Sequence, residues 1–180
     1  MSPLVSKRHE ADQFYKEALQ FFMKNQFKEA LNAIGSAIEF TPNRADLYAA
    51  RGFFYLQKGG RADKNKALAD FETALEIFPY EMLAHYGRGM VAYKAKEWEE
   101  ATTHFTQAYR TRPERPETCY YLALSHHHQG QNVLALPLMQ QAHSRFEEKG
   151  DKRRTDANRW LRQLEKLIDE QAKLPPPSVL

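Results

Sequence analysis

Ala30, Ala37 and Pro42 are followed by Ala67, Ala74 and Pro79, then by Ala101, Ala108 and Pro113, and then by Ala135 and Ala142. Within each set the steps are seven residues and then five, and the first alanines stand 37, 34 and 34 residues apart. Self-similarity at a period of about 34 residues marks a stack of helical hairpins, each too small to bury its apolar face alone. Such a stack offers a surface along its length and no single reacting centre.

Other positions keep the same register. Twelve residues before the first alanine stand Ala18, Gly89 and Ala123, and Gly52 reaches that role after a three-residue insertion around Gly59-Gly60-Arg61. A small side chain there lets two helix axes approach. Four residues after the first alanine come Ile34, Phe71, Phe105 and Met139, large enough to fill the space so created. Phe14, Tyr48, His85 and Cys119 hold the fourth place of each hairpin, and Phe21 and Tyr55 the eleventh. Pro42, Pro79 and Pro113 cannot continue a helix and restrict the residue before them, so the chain turns between hairpins. The pattern predicts nine helices, at about 8–24, 27–40, 44–58, 64–78, 81–95, 98–111, 116–129, 132–148 and 151–173. Glu147 stands where the fourth proline is due, which lets the eighth helix run on, and Pro137 is expected near that helix's first turn. The ninth carries Ala157, Trp160, Leu161, Leu164, Leu167 and Ile168 as a stripe, the mark of a helix that caps the last hairpin.

These small, aromatic and proline positions resemble the tetratricopeptide repeat. Four repeats span about residues 11–44, 45–81, 82–115 and 116–147, preceded by a lead-in at 1–10 and followed by a capping helix at 148–174. Pro175-Pro176-Pro177 ends that helix, and the tail at 175–180 is expected to be disordered. Arg51-Gly52 and Arg88-Gly89, with Ala67-Leu68-Ala69-Asp70-Phe71 downstream, are similar to a common bacterial form of the repeat. The resemblance implies an all-α, right-handed superhelical solenoid whose first helices line a concave face through places two, five, nine, twelve and thirteen of each repeat. Carried onto this chain, those places form a partner-binding groove of Tyr15, Leu19, Phe22, Phe53, Tyr86, Met90, Tyr93, Tyr120, Leu124 and His127. Asp12, Asp46, Leu83 and Glu117 hold the second places. A groove so apolar suits an apolar or amphipathic segment of another protein. The competing reading makes Leu19, Phe53 and Leu56 ordinary inter-helix core. Relatives that hold the acidic tails of chaperones use Lys, Asn and Arg where this chain has Tyr15, Leu19, Ala50, Leu83 and Gly87, so no carboxylate clamp is present and chaperone C-terminal tails are not expected as ligands.

Composition narrows the remaining classes. A net charge of +3 gives no concentrated field for nucleic acid or an anionic membrane. Cys119 is the only cysteine, which excludes an internal disulfide and suits a reducing compartment. No apolar run approaches 18 residues and the start lacks a signal-peptide pattern, so a cytoplasmic location is expected. Consecutive helical residues point about 100° apart, so His126, His127 and His128 cannot converge on one metal. Cys119 occupies a packing place, Gly59-Gly60 belongs to a turn, and no nucleophile–base spacing is evident; no enzyme, cofactor or metal is expected. Lys149, Lys152, Arg153, Arg154, Arg159 and Arg162 form a basic stretch, read as a solvated cap face or as a dock for an acidic partner or nucleic acid. Self-association through the groove and permanent occupancy by one large partner are further alternatives. Ser178-Val179-Leu180 loosely fits a terminal peptide that adds a strand to a recognition domain.

Overall fold

Pro42, Pro79 and Pro113 each lie two residues past a helix end, where a missing N–H and a locked φ stop propagation. A computed structural model describes residues 3–173. Among them are nine α-helices and no strand: α1 Pro3–Met23, α2 Phe27–Phe40, α3 Ala45–Lys58, α4 Arg61–Ile77, α5 Met82–Ala95, α6 Trp98–Thr111, α7 Pro116–His128, α8 Asn132–Glu148 and α9 Arg154–Ala172. The expected number and order of helices hold. The differences are local. The supposed lead-in from Pro3 onward is already part of α1. The insertion at Gly59-Gly60-Arg61 adds length to the start of α4, while Gly59 and Gly60, at φ 84° and 96°, make the turn. Pro137 is the sixth residue of α8, deeper than the first turn, where it removes one i→i−4 hydrogen bond. Pro175–Pro177 and Ser178-Val179-Leu180 lie outside the described residues.

The hairpin turns share a device that the alanine register does not show. Place fifteen of each repeat holds Asn25, Gly59, Lys96 and Gly130, and all four have positive φ (58°, 84°, 64° and 74°). A left-handed residue there reverses the chain within a few residues.

The chain forms two units, Met1–Val91 and Ala92–Leu180, with α5 running across the division. In the N-terminal unit, Ala18, Ala30, Ile34 and Ala37 are fully buried between α1 and α2. Leu47, Ala50 and Phe54 of α3 join that cluster, which is how the second hairpin docks on the first. Between α3 and α4, Ala67, Phe71 and Ala74 are fully buried. A two-pronged ion pair ties the same helices: Arg51 Nε and Nη2 donate to the two carboxylate oxygens of Asp70 at 2.8 and 2.7 Å. That contact is the physical reason for the Arg-Gly and Ala-Asp-Phe pairing seen in the sequence. In the C-terminal unit, Cys119, Ala123, Ala135, Met139, Ala142 and Phe146 form the core of the α7–α8 hairpin. Ala157 and Leu164 of α9 are fully buried in the same cluster, so α9 caps the hairpin.

Candidate binding surface

In the N-terminal unit the rotation of α1 and α3 brings a row of rings together. Phe22 lies 5.9 Å from Phe27 and 5.9 Å from Phe53, and Phe53 lies 6.4 Å from Tyr86, in edge and tilted arrangements suited to ring quadrupoles. Phe22 also stacks on the buried Phe54 at 4.5 Å, which fixes its rotamer. Leu19 and Met23 flank the row on α1 and remain 38% and 81% exposed. Phe22, Phe53 and Met90 are partly exposed, whereas Tyr86 is only 5% exposed. Tyr86 was expected to line the open groove; it is instead packed beneath it. Tyr15 is partly buried, and burial followed by the nearby Asp46 carboxylate raises its hydroxyl pKa. Beside it Arg44, the residue before α3, bridges Asp12 of α1 and Asp46. The two carboxylates at the head of this face are therefore already partnered by a cation of the chain itself.

The C-terminal unit treats the same places differently. On α7, Glu117 accepts from Arg153 Nη2 at 2.8 Å and the Tyr120 hydroxyl donates to Asp156. His127 sits 5.2 Å from the Trp160 ring and pairs through Nδ1 with Asn132 Oδ1 at 2.7 Å. Leu124 is 4% exposed. Arg153, Asp156 and Trp160 all belong to α9 or the residue before it, so the expected groove along α7 is filled from within. Burial raises the Tyr120 pKa, and the hydrogen bond to Asp156 adds to it. Burial alone would raise Glu117 as well, but hydrogen bonds from the backbone and from Arg153 hold it below the usual value. Tyr93 is engaged edge-on by Trp98 and Tyr121, both at 5.3 Å.

Other candidates resolve into packing. The rings of His126, His127 and His128 meet Gln131, Trp160 with Asn132, and Trp98 respectively, three different directions. Cys119 is fully buried, its Sγ 3.4 Å from Gln141 Oε1, and burial pushes the thiol up to about 11. Within the basic stretch, Arg153 pairs with Asp151 and Glu117, Arg154 with Glu147, and Arg159 with Asp156, which mutes its field. No helix among the described residues is long and apolar enough to cross a membrane.

No family model matches the chain. It is 31% identical over 114 residues to human Tetratricopeptide repeat protein 6, covering 63% of this chain and 20% of that protein. The fold matches the first tetratricopeptide domain of Spaghetti (RPAP3) bound to the HSP90 peptide SRMEEVD, at TM-score 0.59 and 16% identity over 68% of this chain and 95% of that one. It matches MamA at TM-score 0.58 and 16% identity over 95% of this chain and 98% of that one. The chain has the tetratricopeptide-repeat fold. It spans about a fifth of the length of the curated relatives it matches. An arginine that the alanine register does not show precedes three helices, Arg44 before α3, Arg115 before α7 and Arg153 before α9, each bonded to a nearby carboxylate. Its recurrence immediately before a helix start was a usable signal.

Proposed function

We propose that this chain is a non-enzymatic interaction module that binds an apolar segment of a partner protein on the first-helix face of its N-terminal unit. The carrying observation is the row Phe22–Phe53 with Leu19, Met23 and Met90 beside it: apolar, partly open and rigidly backed by Phe54 and Tyr86. Rigid rings flanked by adaptable methionines suit a contact surface. Arg44 is shared between Asp12 and Asp46 at the head of this face, and apolar burial along the row supplies the affinity. The test uses the full chain as bait, with cross-linking and mass spectrometry to identify partners. Leu19→Asp with Met23→Asp should weaken capture about 10- to 100-fold while circular dichroism is unchanged, because both side chains are exposed. Partners retained at full strength by that double variant would overturn the reading.

A further inference from the structure

The chain carries five methionines and one cysteine, and the fold covers their sulfurs unequally. Met139 is fully buried in the α7–α8 core. Cys119 is fully buried too, and burial pushes its thiol up to about 11, so little of the thiolate that oxidants attack is present. Met82 and Met90 on α5 are partly covered, and Met1 lies outside the described residues. Met23, the last residue of α1, is 81% exposed. It holds place thirteen of the first repeat, a place that Gln57, Lys94 and His128 hold in the others. An apolar residue at that place is therefore specific to the first repeat. There Leu19, one turn back on the same face of α1 and 38% exposed, extends the apolar surface beside Phe22.

We propose that Met23 is a redox switch on the N-terminal row: oxidation of its thioether to the sulfoxide weakens the hold on an apolar partner, and reduction restores it. The switch rests on the row being a binding surface. The oxidant is a peroxide. The Met23 sulfur attacks one peroxide oxygen, an S–O bond forms as the O–O bond breaks, and the departing hydroxide takes up a proton and leaves as water. Sulfur loses two electrons and the peroxide gains them. A thiol-dependent methionine sulfoxide reductase reverses the step. The product puts a polar group where a flexible apolar one stood, and an apolar partner offers its oxygen no donor in exchange for water. Met23 buries little against its own chain, so the same change leaves the helices in place. Exposure also makes the reaction selective, because peroxide has open access to this sulfur and none to Met139 or Cys119.

Peroxide treatment of the full chain, followed by peptide mapping by mass spectrometry, should give the Met23 sulfoxide ahead of those of Met82, Met90 and Met139. Helicity and melting temperature should not change. Met139 oxidised as fast as Met23, or helicity lost in step with the Met23 sulfoxide, would overturn the proposal. The binding probe is a peptide selected on the full chain from a random display library and rejected by Leu19→Asp with Met23→Asp. Once the peroxide is removed, the oxidised chain should bind this peptide about 5- to 50-fold more weakly, and reductase with thiol should restore the affinity. Met23→Leu should bind as the untreated chain does and ignore peroxide. Undiminished binding by the oxidised chain, or an equal loss in Met23→Leu, would rule out the switch and leave the row as a binding surface. A library that yields no peptide sensitive to the double variant would remove the row itself, and the switch with it.

Discussion

Phe71 fills the space between α3 and α5 because two glycines face it. A Cβ at Gly52 would lie 2.7 Å from the Phe71 ring, and one at Gly87 only 2.1 Å. The ring is fully buried, so it has nowhere to retreat. Gly87→Ala should therefore cost about 1–3 kcal/mol by overpacking, measured by urea denaturation. Gly35 on α2 is the matched control, since a Cβ there meets nothing within 4 Å. Gly35→Ala should stabilise by about 0.5–1 kcal/mol through helix propensity and reduced freedom of the unfolded chain. Equal effects at the two sites would contradict this account of Phe71. The same scale explains Tyr86, whose place in the repeat suggested exposure while its neighbours leave it almost none.

At the scale of elements, the turns and the cap carry the informative chemistry. Lys96 holds a positive φ, 64°, as does its repeat counterpart Gly130 at 74°, which has no Cβ to penalise. Lys96→Gly should raise stability by about 1 kcal/mol in thermal melting, against the usual rule that glycine destabilises. The cap is held to α7 partly through Glu117 and Arg153. Because the fold lowers the Glu117 pKa, its contribution is present above the ordinary glutamate range and is lost as pH falls through that range toward the lowered value. The pair is partly exposed, so the effect is under about 1 kcal/mol. Melting from about pH 6 down to about pH 3 should show wild type losing its advantage over Glu117→Gln. A difference that persisted at the acid end would rule out ionisation of Glu117 as its source.

At the scale of the whole molecule, the outermost helix of each unit is chemically marked. Leu47, Ala50 and Phe54, through which α3 docks on the first hairpin, correspond in α1 to Gln13, Lys16 and Gln20, all exposed. A polar outer face of this kind suits a terminal repeat. Replacing those three with Leu, Ala and Phe should create a face ready for another hairpin. Light scattering should then show an average mass well above wild type at equal concentration, with helicity retained. In the C-terminal unit, the exposed face of α9 carries Arg159, Arg162, Gln163, Glu165 and Lys166.

The helices, their order, the small-residue contacts and the cap were all legible in the chain. The forces behind them are local: proline geometry, helical periodicity and the repetition that lets one hairpin calibrate the next. Which first-helix positions stay open was not. Tyr120, Leu124 and His127 occupy the same places as Tyr15, Leu19 and Phe22, yet α9 covers one set while Leu19 remains exposed beside a partly open Phe22. Exposure depends on helix rotation and on long side chains such as Arg153 and Trp160 arriving from segments distant in sequence, and only the folded chain brings them there.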